Sequence, residues 1–251
     1  MAFSQFESSP SSRDSHSNAN FFAHKLRRHV LPTVTGALIA AVLGATTSWA
    51  AMVTLHEAGV DDIYSQASFG TTPVDIRYLP TISHVDASLL NIDTQAKLTG
   101  ASGLFNLFNS NTIHYAYFVD TISWCGTSNA NIIGCGFEPG TDFVVESNVA
   151  AGSNGAELIG HELGHNLNLS HDTLPASNLM DPSLNGSTTL TTTQVATILS
   201  RPSIQSDSSG FFIEIQPVLI LAAATVPEPS TMLLAVASLL GTVACNARRR
   251  V

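Results

Sequence analysis

Apolar and polar positions along the chain change period once, from a strand-like pattern before about residue 150 to a helical one just after it. Residues 74–78 and 112–118 alternate or run apolar over short stretches and predict β-strands. Asp142-Phe143-Val144-Val145-Glu146-Ser147 predicts a further strand. From Gly155 the apolar residues recur at Leu158, Ile159, Leu163 and Leu167, the stripe of a helix buried against a sheet, with Ser153 or Asn154 as its N-cap. Residues 173–190 are rich in Ser, Asn and Pro and read as loop. Thr191-Thr192-Thr193-Gln194 then spells a capping box that opens a short helix to about Ser200, with Pro202 after it. The apolar run over residues 211–224 reads either as a final strand or as a stalk. This order of elements predicts an α+β fold, and no internal repeat interrupts it.

Both ends read as sorting segments. In residues 1–50, Lys25, Arg27 and Arg28 precede an apolar run over residues 34–45, and Ser48-Trp49-Ala50 puts small residues at the two cleavage-site positions. That pattern predicts a signal peptide cut after Ala50. At the other end, Val226-Pro227-Glu228-Pro229-Ser230 leads into the apolar residues 231–245 and then Arg248-Arg249-Arg250. The run is short for a stable membrane span, and the basic cluster orients its C-terminus to the cytoplasm. These three parts resemble the PEP-CTERM sorting tail of Gram-negative bacteria that make extracellular polysaccharide. The resemblance implies cutting near Pro-Glu-Pro by a membrane exosortase. The protein is then expected to be held briefly in the inner membrane by this segment and to end at the cell surface or in the extracellular matrix. A plain membrane anchor is the competing reading.

Between the ends lies one domain of common size, read as a catalytic domain over 51–209 followed by a strand or stalk at 210–226, with the tail at 227–251. Its charge is lopsided: over 51–226 Arg77, Lys97 and Arg201 stand against sixteen carboxylates, because the other basic residues lie in the two sorting segments. So negative a surface repels phosphate backbones and excludes a nucleic-acid partner. Cys125 and Cys135 are the only cysteines of that domain. An exported pair predicts a disulfide worth about 2.5–3 kcal/mol on the chain-entropy model, and no C-x-x-C spacing favours metal ligation instead.

The chemistry is concentrated in His161-Glu162-Leu163-Gly164-His165, with His171 six residues further on. Positions four apart share a helix face, so His161 and His165 can offer two imidazoles to one ion. Glu162 lies about 100° round the helix, placed to hold a water on that ion without ligating it. His171 can join only if the chain turns sharply after the helix. Three neutral imidazoles with one open position describe a catalytic zinc (Zn2+) site rather than a closed structural one. His56, His84 and His114 have no metal-like spacing.

The stretch from His161 to Asp172 resembles the zinc-binding segment of the metzincin metallopeptidases, most closely the adamalysin-like pattern with Asp after the third histidine. The resemblance implies a zincin-type fold: a twisted mixed sheet packed on an active-site helix, then an irregular C-terminal subdomain with a methionine turn and a C-terminal helix. Asn178-Leu179-Met180-Asp181-Pro182 stands where that turn belongs, which makes Met180 the apolar floor of the site. Asp142-Phe143-Val144-Val145-Glu146-Ser147 precedes the zinc helix where metzincins have a strand lining the cleft, so its edge is expected to pair with an extended peptide. Two departures stand out. Asn168 replaces the family's Gly at the turn after the second histidine, and Asn is the residue with a Cβ that best tolerates the left-handed backbone needed there. No Tyr follows Met180, so no transition-state tyrosine carries over.

These residues predict an exported zinc endopeptidase acting on peptides or proteins, with Glu162 as general base that afterwards delivers the proton to the leaving amine. Asp172 is expected to orient a ligand or to tie the third-histidine loop to the methionine turn. Two other classes stay open: a surface or matrix protein that keeps zinc for folding alone, and a zinc hydrolase of exopolysaccharide acyl groups. Retention of Glu162 favours a catalyst over the first, since a structural site needs no base.

Overall fold

A computed structural model gives the fold and describes residues 2–7 and 53–223. The predicted cut after Ala50 and the sorting tail from 227 lie outside the described residues. Among the described residues no helix is long and apolar enough to cross a membrane.

The fold is mixed α+β, built on one mixed sheet of eight strands. In chain order these are β1 (Ala2–Glu7), β2 (Val74–Tyr78), β3 (Ile82–Val85), β4 (Ile113–Val119), β5 (Ile132–Glu138), β6 (Asp142–Glu146), β7 (Gln205–Asp207) and β8 (Gly210–Leu221). Across the sheet the order runs β1-β5-β6-β4-β8-β7, with β2 and β3 also pairing β8. The central pairs β6/β4, β4/β8 and β8/β2 are parallel, whereas β1/β5 and β5/β6 are antiparallel.

The three strands predicted from periodicity form within a residue or two of their expected bounds. The run beginning at 211 is a strand and not a stalk. It sits at the centre of the sheet, so the domain continues past residue 209 through Leu221. One expectation is corrected. The strand Asp142–Glu146 has no free edge, because β4 pairs one side of it and β5 the other. The strand outside it is β5, and β1 lies on that strand's outer edge.

Three helices matter for the site: α1 (Glu57–Tyr64), α2 (Gly155–Asn166) and α3 (Thr192–Leu199). The α2 stripe packs as its spacing requires, with Leu158, Ile159, Leu163 and Leu167 all at most 1% exposed. Asn154 is the N-cap of α2, but its side chain makes no capping hydrogen bond. Helix α1 lies across α2, and the Tyr64 hydroxyl donates to the Gly160 carbonyl at 2.9 Å. Helix α3 opens with the predicted capping box between Thr191 and Gln194. A disulfide joins Cys125 to Cys135 and ties the loop before β5 into that strand.

Candidate metal centre

Helix α2 runs close over β5 because that strand carries Gly134 and Gly136 on the facing side. A Cβ at Gly134 would stand 2.2 Å from Glu162 Oε1, and one at Gly136 would stand 3.2 Å from the Glu162 carbonyl oxygen. Gly164 serves the opposite side of the helix, where a Cβ would stand 2.6 Å from Met180 Sδ. The helix is thus wedged between a glycine strand and the turn that carries Met180. This approach presents His161, Glu162 and His165 in one buried cluster, none of them exposed.

After Asn166 the chain reverses. Asn168 takes φ 71°, the left-handed conformation expected there, and Leu169 N–H donates to the Gly164 carbonyl at 3.0 Å. The reversal carries His171 back over the helix. One ring nitrogen from each of His161, His165 and His171 falls within 4.8 Å of the others, the single such group among the described residues. His171 is the exposed member of the trio.

The ring nitrogens can be assigned from their partners. His161 Nδ1 lies 2.7 Å from the Leu179 carbonyl, and His165 Nδ1 lies 2.7 Å from the Leu169 carbonyl. A carbonyl only accepts, so both Nδ1 atoms carry hydrogen. In the neutral rings each Nε2 is then a bare lone pair, and the two Nε2 atoms stand 2.9 Å apart. Facing lone pairs repel unless a cation lies between them. A shared proton is disfavoured, because burial first and the neighbouring histidines second push the His161 ring well below its ordinary pKa and His165 down to about 3. His165 Nδ1 also lies 3.8 Å from Glu138 Oε2, but a neutral ring makes no ion pair there. The donor set, three neutral imidazoles with backbone carbonyls fixing two tautomers, suits a zinc ion.

Glu162 completes the centre. It is wholly buried, neither carboxyl oxygen has a hydrogen-bond partner, and burial pushes its pKa well up. An unpartnered buried carboxyl is rare and costly, which points to a ligand or water as its missing partner.

The turn that carries Met180 lies beneath. Met180 is fully buried, and its N–H donates to Asn178 Oδ1 at 2.9 Å. Asn178 also donates to the Leu174 carbonyl at 2.8 Å and accepts from Gln194 Nε2 at 3.1 Å, so the turn is tied to the first turn of α3. Asp172 serves as a tie and not as a partner of a histidine. Its backbone N–H donates to the Met180 carbonyl at 2.9 Å, while its carboxylate meets Asn178 Nδ2 only at 3.5 Å. The backbone bond is the stronger of the two.

Among the described residues, His56 and His114 stand apart from the trio. His56 Nε2 donates to the Ala150 carbonyl at 2.7 Å. His114 is buried against Asn166 Oδ1 at 3.2 Å, and burial lowers its pKa to about 4. Sequence reasoning missed Gly134 and Gly136, and it did not foresee that Asn178 and Gln194 bond each other. The G-x-G in an apolar stretch was the available signal for the glycines; the Asn178–Gln194 tie is visible only in the structure.

Comparison with known proteins bears on the C-terminal end. Residues 225–250 match the PEP-CTERM protein-sorting motif. That motif indicates an exported protein handled by an exosortase-type processing enzyme. Curated proteins give no match to the chain, and solved structures give none either.

Proposed function

We propose that this exported protein is a zinc-dependent endopeptidase of metzincin-like architecture, with His161, His165 and His171 as metal ligands and Glu162 as general base. The observation that carries the reading is the pair of bare Nε2 atoms of two fully buried histidines facing each other at 2.9 Å, beside a buried carboxyl that has no partner. Zinc, when bound, supplies a Lewis acid that polarises a peptide carbonyl and makes water acidic near neutral pH.

The chain's own groups do the rest. The Leu179 and Leu169 carbonyls hold the two helical imidazoles with Nε2 turned to the site. Glu162 takes a proton from the attacking water on a carboxyl oxygen and passes it to the leaving nitrogen. Met180 keeps the floor apolar and fills the space against Gly164.

The test uses the protein purified after export, beside its Glu162→Ala variant. Wild type is expected to hold about one zinc and to cleave casein. The variant is expected to keep its zinc and lose about 10²–10⁴ in rate, the share general-base catalysis supplies. Zinc in both with cleavage by neither moves the reading to a structural site or to acyl-group hydrolysis. A folded wild type without zinc ends it.

A further inference from the structure

A cavity of about 950 Å³ lies apart from the metal centre and includes none of the three histidines. Helix α2 covers the face of β5 on which Gly134 and Gly136 lie, so strand alternation sends Cys135 and Phe137 to the opposite face. There the Phe137 ring meets Phe105 with centroids 4.8 Å apart, and Phe108 stacks on Tyr115 of β4 at 5.2 Å. Phe105, Phe108 and Phe137 line the cavity, and most of the remaining lining comes from residues 109–112, 139–142 and 201–203. Phe3 touches it too, but lies in the leader predicted to end at Ala50 and is no part of the exported domain.

The composition of the lining is unusual for an apolar pocket. Of its sixteen residues within the domain, eight end in an amide or a hydroxyl, three are phenylalanines, and none is Leu, Ile, Val or Met. A pocket for an aliphatic side chain would be walled by branched aliphatic residues. This one sets ring faces beside hydrogen-bonding groups, which suits a ligand with C–H faces and a hydroxyl edge, as a sugar ring has. The negative face of an aromatic ring attracts weakly positive C–H groups, while the amides supply donors and acceptors for hydroxyls. The volume is near the top of the range of roughly 300–1,000 Å³ for small-ligand sites, so more than one ring fits.

Charge narrows the ligand further. Arg77 pairs with Asp75 and Asp207, and Lys97 pairs with Asp93. Arg201 makes no ion pair among the described residues, and its buried Nε has no hydrogen-bond partner there. An arginine in that state is a ready fork for one carboxylate. Asp142, 7% exposed, accepts only two long bonds, from the Tyr117 hydroxyl at 3.2 Å and the Thr141 hydroxyl at 3.4 Å, and keeps capacity for another donor. Asn109 and Asn111 are exposed at the rim. The acidic domain repels a dense polyanion, so the ligand carries sparse charge.

We propose that this cavity binds a short stretch of saccharide chain bearing a single carboxylate, with sugar faces on the three phenylalanines, the carboxylate on Arg201, and hydroxyls on Asp142, Asn109 and Asn111. Occupied, it fastens the exported domain to a glycan. The site is independent of the peptidase reading.

The experiment is calorimetric titration of the protein purified after export with three probes: aldotriouronic acid (one glucuronate on two xylose units), neutral xylotriose, and the peptide Ala-Ala-Phe. Aldotriouronic acid should bind at least about tenfold tighter than xylotriose, the share of the carboxylate on Arg201. Arg201→Gln should erase that preference while xylotriose binds as before, a split that a purely structural role for Arg201 would not give. Asn109→Ala combined with Asn111→Ala should weaken both saccharides about tenfold, with the melting temperature unchanged. Ala-Ala-Phe should not bind. Tighter binding of Ala-Ala-Phe than of either saccharide overturns the proposal in favour of a peptide pocket. Saccharide binding that survives every substitution, or no saccharide binding at millimolar concentration, overturns it outright. Zinc content and casein cleavage enter none of these outcomes, so the peptidase reading fails or stands separately.

Discussion

Helix α2 buries two carboxyls, and their surroundings could hardly differ more. Glu157, in its first turn and 2% exposed, accepts three backbone N–H bonds: from Asn185 at 3.1 Å, Gly186 at 2.8 Å and Ser187 at 2.9 Å. Burial raises its pKa and those amides pull it back down. Glu162, over a turn further along and unexposed, accepts none. Burial alone would rank the two alike. What separates them is satisfaction: the first holds a loop in place, whereas the second carries an unmet demand for a partner.

Glu162→Gln tests that contrast most strongly. It should lower cleavage by about 10²–10⁴ while the melting temperature stays level or rises, since a buried carboxyl without partners stabilises nothing. A large loss of stability, read by thermal melting, would show that Glu162 has a structural partner after all.

A third buried carboxyl sharpens the comparison from between the extremes. Asp142 is 7% exposed and has two hydroxyl contacts, from Tyr117 at 3.2 Å and Thr141 at 3.4 Å, and burial raises its pKa to about 7. The folded state thus holds this proton to higher pH than the unfolded chain does. Its contribution, ~4 kcal/mol, is fully present below about pH 4 and is lost as pH rises through 7. Asp142→Asn should remove that dependence, so denaturant titrations at pH 4 and pH 8 should find the variant's advantage only at the higher pH.

Glu157→Ala is the complementary cut. Losing the acceptor for three amides should cost about 2–3 kcal/mol in urea unfolding, with zinc content unchanged. The smallest expected effect belongs to Gly164→Ala. The added methyl meets Met180 Sδ, the far end of a flexible side chain, so a loss of about 1–2 kcal/mol is expected by thermal melting. The same methyl at Gly134 presses on Glu162 itself and should instead appear as lost cleavage.

Much of this centre was legible residue by residue. The histidine spacing, the helical stripe, the Thr191–Gln194 capping box and the left-handed Asn168 all follow from rules that act within a few residues. Helix α1 was not legible, because its apolar pattern is short and its burial comes from lying on α2. Strand β5 was not either: glycines depress strand propensity, and the reason for Gly134 and Gly136 is a side chain on another element. The strand Asp142–Glu146 was expected to have a free edge and lies inside the sheet, since a strand does not record how many neighbours it has.

Taken alone, the chain's sequence determined which atoms can bind a metal, where the helix that carries His161 and His165 starts and stops, that the two cysteines can pair, and that the C-terminal residues carry a sorting motif. Each depends on side-chain chemistry or on period, which are local. Only the tertiary structure decided that residues 210–221 form the middle of the sheet, that Glu157 is satisfied and Glu162 is not, and that residues 2–7 lie against the histidines. Those are facts about partners far apart in the chain. Strand order and hydrogen-bond satisfaction arise from burying every apolar face at once, and no local stretch of sequence carries that sum.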